Sequence, residues 1–163
     1  VICHRNVRFF PFIHRLRKLH GCPPLLLDEN LSKMAQLQAS RMAGTQTLIN
    51  NAPKDIGQNV WMHSGYRGIT GAEVVQQWYK EIRNFRFGEE KQKNCDQFSQ
   101  MIWKGTRRVG FGRASLPHGC AVFVVGFYME RGNLAGQYTD NVPPLTEPKK
   151  IMPFDELLLK QIM

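Results

Sequence analysis

The sequence has few acidic residues, few cysteines and no long apolar run. Thirteen aspartates and glutamates stand against 22 lysines and arginines, so the 163-residue chain carries a formal net charge of +9. Its four cysteines are too few and too scattered for a disulfide scaffold. No stretch reaches the roughly 18 to 20 consecutive apolar residues that a membrane-spanning helix requires. These shortages argue against an acidic, a disulfide-rich or a membrane-spanning protein.

None of the five histidines is spaced for a metal site or a catalytic centre. The sequence contains neither an HExxH pattern nor a CxxC pair. Ser64 and Ser99 lack the context of a nucleophile elbow, so serine hydrolysis is unsupported. We interpret the five histidines as solvated or hydrogen-bonded side chains: His4, His14, His20, His63 and His118.

The positive charge is concentrated in three regions of the chain. Lysines and arginines gather between residues 5 and 18, between residues 104 and 113, and at Lys149 and Lys150. Such clusters favour anionic partners, such as acidic lipid surfaces, polyanionic glycans or acidic proteins. No nucleic-acid recognition module is visible, so nucleic acid is not an expected partner. A merely solvated basic surface is the alternative.

Apolar spacing predicts helices on both sides of a pair of strands. A basic amphipathic helix is expected over residues 9–20, and a second helix is expected to begin at a cap on Asp28 and to end at Gly44. A short strand is predicted over residues 58–62, followed by a helix capped by Thr70. Strands over residues 105–115 and 121–129 form an antiparallel hairpin, and residues 136–144 suggest a last short strand.

The most specific stretch of the sequence is CDQFSQMIWKGTRRVGFG, residues 95–112. Phe98, Met101 and Ile102 share one side of a short helix, which ends at Trp103. The pattern then changes to the alternation of a strand, in which Val109 and Phe111 share a face. The glycines between them are expected where two backbones approach closely.

These motifs resemble the CAP superfamily of cysteine-rich secretory, antigen 5 and pathogenesis-related proteins. The resemblance rests on QFSQMIW followed by VGFG, and on HGCPPLLLDENLSKMAQ, GQNVWM, AEVVQQWYKEIRNF and FVVGFYMERGN, in the family's order. It is greatest to the intracellular, Golgi-associated branch. It implies an α+β fold, a three-layer α-β-α sandwich with a small, mainly antiparallel sheet between helices. One domain is expected over residues 1–163, with its core at about 9–144 and a tail at 145–163.

The resemblance also locates the positions of the family's metal site, where two histidines and two glutamates meet in a cleft. In this chain those positions hold Asn50, Gln58, Glu81 and Gln97. Only Glu81 keeps the family's residue type, and one carboxylate with three amides is a poor zinc site. We therefore expect no bound metal, no cofactor and no catalysis in this cleft. The amides are expected to form a hydrogen-bonded network or to bind a polar ligand.

The cysteine positions of secreted family members hold Phe111 and Gly126 in this chain. Their loss favours a reducing compartment, in which Cys22 and Cys95 are free thiols, whereas pairing of Cys95 with Cys120 stays open. The resemblance thus favours an intracellular location, on the cytoplasmic face of the Golgi or other membranes. An extracellular location is the alternative.

We expect a non-enzymatic CAP-domain protein that binds anionic membranes peripherally. Strand and helix cations would form the binding surface: Arg15, Arg17, Lys18, Lys104, Arg107, Arg108 and Arg113. By resemblance, a protein partner or a second copy of the chain is also expected. A secreted binding module for sterol, fatty acid or glycan is the alternative, and a divalent-metal-dependent hydrolase is the weakest one.

Overall fold

The computed structural model describes residues 9–65 and 68–146, in which helices lie before, between and after the strands of one sheet. The helices are α1 (Phe10–Leu19), α2 (Glu29–Thr45), α3 (Gly71–Tyr79), α4 (Asp96–Ile102) and α5 (Tyr138–Asn141). The strands are β1 (Leu26–Leu27), β2 (Gly57–Ser64), β3 (Arg108–Ser115) and β4 (Ala121–Met129). Short 3-10 helices occupy Lys80–Asn84 and Pro117–Gly119.

Local side-chain caps start two of the helices where the sequence predicts. Asp28 accepts a hydrogen bond from the Leu31 amide at 2.9 Å, which satisfies one exposed amide of the first turn of α2. At α3, Thr70 and Glu73 form a reciprocal capping box. The end of α2 differs by one residue from the prediction, since the helix continues through Gly44 to Thr45.

The four strands form one mixed sheet in the order β1-β3-β4-β2. β3 and β4 pair antiparallel, as do β4 and β2, whereas β1 pairs parallel with β3 over two residues. The predicted hairpin is therefore present as the β3–β4 pair. β2 lies at an edge of the sheet, so the outer side of its backbone needs partners other than a strand.

Helices cover both faces of the sheet and create two apolar cores. On one face, Leu31, Ala35 and Met42 of α2 pack against Phe123 and Val125 of β4. On the other face, α1, α3 and α4 pack against the opposite side of β3 and β4, in a core with these central members: Ile13, Leu16, Trp78, Phe98, Met101 and Phe111. This arrangement is the expected three-layer α-β-α sandwich.

The glycines of β3 let α2 lie directly on the strand. A Cβ atom at Gly110 would collide with the backbone of Leu31 and Ser32, and a Cβ atom at Gly112 would collide with the backbone of Ala35. Val109 and Phe111 point to the other face, into the larger core. The expected close approach of two backbones is therefore confirmed, and α2 is the second backbone.

The prediction of a strand over residues 136–144 is wrong, because the chain forms the short helix α5 there. The carboxylate of Glu90 accepts hydrogen bonds from the amides of Tyr138 and Thr139, at 3.0 and 2.9 Å. These amides lie in the first turn of α5, which is thus stabilised by a residue almost 50 positions away.

β3 also begins later than predicted, at Arg108 rather than at Gly105. The amide of Lys104 donates to the Asn141 carbonyl, and the Gly105 amide donates to Asn141 Oδ1. These bonds direct residues 104 and 105 to α5, so they cannot join the sheet. Of the expected tail, residues 145 and 146 are described, and residues 147–163 lie outside the described ranges.

Candidate functional site

Glu81, in the 3-10 helix after α3, holds the start of α4. Its Oε2 atom accepts hydrogen bonds from the amides of Gln97 and Phe98, at 2.8 and 3.2 Å. The side chain of Cys95, the residue just before α4, makes no capping hydrogen bond. A carboxylate at a helix N-terminus also interacts favourably with the helix dipole. Burial raises the pKa of Glu81, and the hydrogen bonds from Gln97 and Phe98 oppose this rise.

Gln97 and Trp78 provide hydrogen-bond partners for the backbone of Val60, on the side of β2 that has no neighbouring strand. Gln97 Oε1 accepts from the Val60 amide at 2.9 Å, and Trp78 Nε1 donates to the Val60 carbonyl at 3.1 Å. In addition, Asn59 Nδ2 donates to the Gln97 carbonyl at 3.0 Å. Gln97 is therefore tied to the backbone of the edge strand, where the helical layer takes the place of a fifth strand.

Gln58 connects the start of β2 to the loop after α2. Its Nε2 atom donates to the Ile49 carbonyl at 2.8 Å, and its Oε1 atom accepts from the Ala52 amide at 3.1 Å. Asn50 lies between these two loop residues and is exposed. Within residues 9–65 and 68–146, its side chain makes no hydrogen bond. The next residue, Asn51, instead bonds to α2, because its Oδ1 atom accepts from Gln38 Nε2 at 2.7 Å.

We call Asn50, Gln58, Glu81 and Gln97 the tetrad positions. Three of them form two hydrogen-bonded groups, one of Glu81 with Gln97 and one of Gln58 with Ile49 and Ala52, and within the described ranges the Asn50 side chain joins neither group. In the described part of the chain, no hydrogen bond joins the two groups. The side chains at these positions do not fit a divalent metal as ligands. The one carboxylate, Glu81, is half-buried and accepts from helix amides, and the other three side chains are neutral amides. No group of three His, Cys, Asp or Glu residues among the described residues could hold a metal ion.

Arg17 does not belong to the predicted basic surface, because its side chain is 0% exposed. Its Nη1 atom donates to the carbonyls of Met101 and Trp103, at 3.1 and 2.8 Å. Its Nε and Nη2 atoms donate to the carbonyls of Pro23 and Thr106. The guanidinium therefore caps the C-terminal end of α4, where a positive charge is favourable. Burial lowers the pKa of Arg17 to about 10, so the group stays charged at neutral pH.

The spacing of α1 contains a signal for this burial. Arg17 is four residues after Ile13, which is fully buried, and it follows Leu16, which is also fully buried. Positions i and i+4 lie on the same side of a helix. Arg17 therefore falls on the apolar stripe, and the assignment of Arg17 to the solvent side of α1 is wrong.

The two predicted arginines of β3 do not share a face of the sheet. β3 is an inner strand, and Arg108 and Arg113, five residues apart, point to opposite faces of the sheet. Arg108 pairs with Asp28 at 3.3 Å. Arg113 is half-buried, and its backbone is bonded to the Gln36 side chain. The strand therefore presents no continuous row of cations.

Lys18, Lys104 and Arg107 remain as exposed cations around the end of α1. The charge of Arg107 contributes to lowering the pKa of Arg17, and the charge of Lys104 partly offsets the rise that burial gives to the pKa of Cys22. The Arg17 guanidinium donates to the carbonyls of Trp103 and Thr106, which directly precede Lys104 and Arg107, so both cations lie near the end of α1. Arg15 is also exposed, on the same helix. We call these four residues the α1–turn surface.

The described cysteines are free thiols. Cys22 and Cys95 are buried, and Cys120 is exposed, so Cys95 and Cys120 do not pair. Burial raises the pKa of Cys95 to about 11. In the described part of the chain, no helix is long and apolar enough to cross a membrane.

Comparison with known proteins decides the family. The model of the cysteine-rich secretory protein family, CAP, matches residues 12–128. The chain belongs to the CAP family. The match covers α1 through most of β4, which includes both groups of tetrad positions and the α1–turn surface.

Two CAP relatives illustrate the sequence similarity. Golgi-associated plant pathogenesis-related protein 1 from Homo sapiens is 36% identical over 140 residues, which cover 82% of this chain and 87% of the relative. Pathogenesis-related leaf protein 6 from Solanum lycopersicum is 31% identical over 120 residues, which cover 72% of each protein.

A solved CAP structure shows the same fold. The structure of venom allergen-like protein 4 from Schistosoma mansoni matches with a TM-score of 0.67 and 20% identity. The match covers 89% of this chain and 97% of the other. The α-β-α sandwich is therefore the CAP fold.

Proposed function

We propose that this CAP protein is a non-enzymatic module that attaches to anionic membrane surfaces through its α1–turn surface. The observation that carries the proposal is the position of Lys18, Lys104 and Arg107 around the end of α1. Each is exposed and has no ion-pair partner among the described residues. The net charge of +9 adds a long-range attraction to acidic lipid.

The absence of enzymatic activity is part of the proposal, and the tetrad positions support it. A general acid or base must be free to reach a substrate. Glu81 is instead engaged with two amides of α4, and Gln58 and Gln97 are engaged with the loop and the edge strand. We propose that these residues hold segments together, in place of a family metal site.

We also propose that the protein is located on the cytoplasmic side of a membrane. The human relative is named as Golgi-associated, and the described thiols are unpaired. A protein partner or a second copy of the chain would then meet this protein at the membrane surface.

Co-sedimentation with lipid vesicles tests the proposal. The native protein should bind vesicles that contain phosphatidylglycerol and should not bind neutral phosphatidylcholine vesicles. Because each lysine or arginine near an acidic surface is worth about 1 kcal/mol, the double variant Lys104→Gln, Arg107→Gln should bind about 30-fold more weakly. Binding should also fall between about 0.1 M and about 1 M salt, as the Debye length shortens from about 10 Å to about 3 Å.

The matched control is the double variant Arg41→Gln, Lys54→Gln. It removes the same two residue types and the same net charge at exposed positions outside the α1–turn surface. If the control weakens binding as much as Lys104→Gln, Arg107→Gln does, net charge rather than this surface is responsible. Salt-independent binding, or equal binding to neutral vesicles, would instead favour a hydrophobic ligand of the kind a secreted binding module would take.

A further inference from the structure

A second basic feature lies between the 3-10 helix Lys80–Asn84 and the start of α4, and none of the tetrad positions lines it. It is a concave pocket of about 680 Å³. Four of its lining residues are cations, namely Arg83, Arg86, Lys91 and Lys93. The other lining residues are amides, namely Asn84, Gln92 and Asn94. We call this the 83–94 pocket, and no carboxylate lines it.

Hydrogen bonds from two of these amides fix the walls of the pocket. Gln92 Oε1 accepts from the Arg86 amide at 3.0 Å, and Gln92 Nε2 donates to the carbonyls of Arg86 and Glu89, both at 2.7 Å. Asn84 Nδ2 donates to the Asn94 carbonyl at 2.8 Å and joins the two ends of the loop. The pocket is therefore formed by the folded loop itself, before any ligand arrives.

Aromatic side chains anchor this loop to the apolar core. Phe85 and Phe87 contact each other with ring centroids 4.9 Å apart, and both contact Phe98 of α4. Phe87 also stacks on His20 at the end of α1. These ring contacts hold one side of the loop, with Phe85 buried and Phe87 partly exposed, so the charged side chains on its other side start from fixed backbone positions.

The positive charge of the pocket is largely uncompensated. Arg83, Lys91 and Lys93 form no ion pair or hydrogen bond through their side chains with any residue in the described ranges. Arg86 pairs with Glu89 at 3.8 Å, but both side chains are more than half exposed, so the pair is weak. The neighbouring Glu90 is engaged with the amides of α5.

We propose that the 83–94 pocket binds a ligand that carries one or more phosphate monoester groups. Arginine presents a planar fork of donors that matches phosphate oxygens, and lysine adds a mobile point charge. The open, charged lining is unsuited to an apolar ligand, and the volume exceeds that of a single phosphate. The phosphate could belong to a lipid head group or to a soluble phosphate ester, because both present the same dianion.

Calorimetric titration with inorganic pyrophosphate tests the site without any membrane. The native protein should bind with one saturable site. Since a hydrogen bond to a charged group is worth about tenfold in affinity, the double variant Arg83→Gln, Lys91→Gln should bind about 100-fold more weakly. Both residues are exposed, so the variant should fold.

The double variant Arg41→Gln, Lys54→Gln is again the control, because it removes the same two residue types elsewhere. It should bind pyrophosphate within about twofold of the native protein. An equal loss in this control, or the lack of a saturable site in the native protein, would overturn the proposal.

Vesicles distinguish the two sources of phosphate. Phosphatidic acid carries a phosphate monoester, whereas phosphatidylglycerol carries a diester, and their amounts are adjusted to equal surface charge. A preference for phosphatidic acid that is lost in Arg83→Gln, Lys91→Gln identifies a lipid head group. Pyrophosphate binding without this preference identifies a soluble ester.

This inference does not depend on the α1–turn surface. Lys104→Gln, Arg107→Gln should leave pyrophosphate binding unchanged while it weakens attachment to phosphatidylglycerol vesicles. Pyrophosphate binding therefore tests the 83–94 pocket, and attachment to phosphatidylglycerol vesicles tests the α1–turn surface, so either proposal can fail without the other.

Discussion

Arg17 and Glu81 hold the two ends of α4 from different parts of the chain. The Glu81 carboxylate accepts from amides at the start of the helix, and the Arg17 guanidinium donates to carbonyls at its end. Each charge has the sign that the helix dipole favours at that end. The helix has only seven residues, so these remote caps satisfy a large part of its unpaired backbone.

Replacement of Arg17 by lysine should destabilise the protein although the charge is kept. An ammonium group has at most three donors on one atom and cannot match four carbonyls that the guanidinium reaches from three nitrogens. We expect the free energy of unfolding, measured by urea denaturation, to fall by at least about 2 kcal/mol.

Arg15→Lys is the control for this substitution, because Arg15 is an exposed arginine on the same helix. It should change the free energy of unfolding by less than about 0.5 kcal/mol. Equal stability of Arg17→Lys and the native protein would show that the four carbonyl contacts do not matter.

His20 is a buried histidine whose two ring nitrogens have different partners. Nδ1 lies 2.7 Å from the Pro143 carbonyl, which can only accept, so Nδ1 carries the proton. Nε2 then accepts from the Tyr79 hydroxyl at 2.9 Å. A second proton on Nε2 would break this bond and bury a charge. Burial accordingly lowers the pKa of His20 to about 4.

This histidine should make the protein less stable in mild acid. In the unfolded chain the pKa of histidine is about 6.5, so the unfolded state binds the proton first as pH falls. The contribution of His20 is complete above about pH 6.5 and is lost as pH falls toward 4. Between about pH 7 and about pH 4.5, the free energy of unfolding should fall roughly 2–3 kcal/mol more in the native protein than in His20→Gln. Parallel pH dependences in urea denaturation would refute this prediction.

At the scale of elements, the contact between β3 and α2 depends on glycine. Large side chains on one face of β3 fill the core, while Gly110 and Gly112 leave room for the α2 backbone on the other. Leu31, Ser32 and Ala35 of α2 lie at this contact, and two of them, Ser32 and Ala35, have small side chains. The helix and the strand therefore touch backbone to backbone.

Gly110→Ala should disrupt this contact. The added methyl group would overlap backbone atoms of Leu31 and Ser32, which cannot move aside as a flexible side chain can. We expect the free energy of unfolding to fall by about 3 kcal/mol. Thermal denaturation followed by circular dichroism measures this change.

Gly44→Ala in α2 is the matched control. No atom lies within 4 Å of the Cβ position there, and the residue is helical. The same substitution should stabilise the protein by about 0.5–1 kcal/mol, since alanine favours the helix. If Gly110→Ala is as stable as Gly44→Ala, α2 can shift away from the strand without cost.

The elements that sequence reasoning missed are those without a local signal. β1 has only two residues, and its pairing with Arg108 and Val109 joins segments about 80 positions apart. α5 has four residues and depends on Glu90. Short elements of this kind are stabilised mainly by their tertiary contacts, because the hydrogen bonds of a single turn do not offset the conformational entropy that is lost when the turn is ordered.

At the scale of the whole molecule, the layers follow from the order of the apolar patterns. Two helices, α1 and α2, precede β2 and cover opposite faces of the sheet, and α3 and α4 complete the layer that α1 begins. The positive charge is not spread evenly over this frame. The α1–turn surface and the 83–94 pocket are separate concentrations of it, and each has its own test.

The sequence by itself determined the family, the layered fold, the caps at Asp28 and Thr70 and the alternation of β3. These features depend on residues a few positions apart, and such spacing is visible in the chain. It also predicts, through their motifs, which residues occupy the tetrad positions.

Only the tertiary structure decided which distant backbone groups the buried charges contact. Arg17 reaches Met101 and Trp103, which are 84 and 86 positions away, and no local pattern encodes that contact. The same holds for Glu81 with α4 and for Glu90 with α5. A charged side chain is buried where distant backbone groups lack partners, and those groups come together only when the chain has folded.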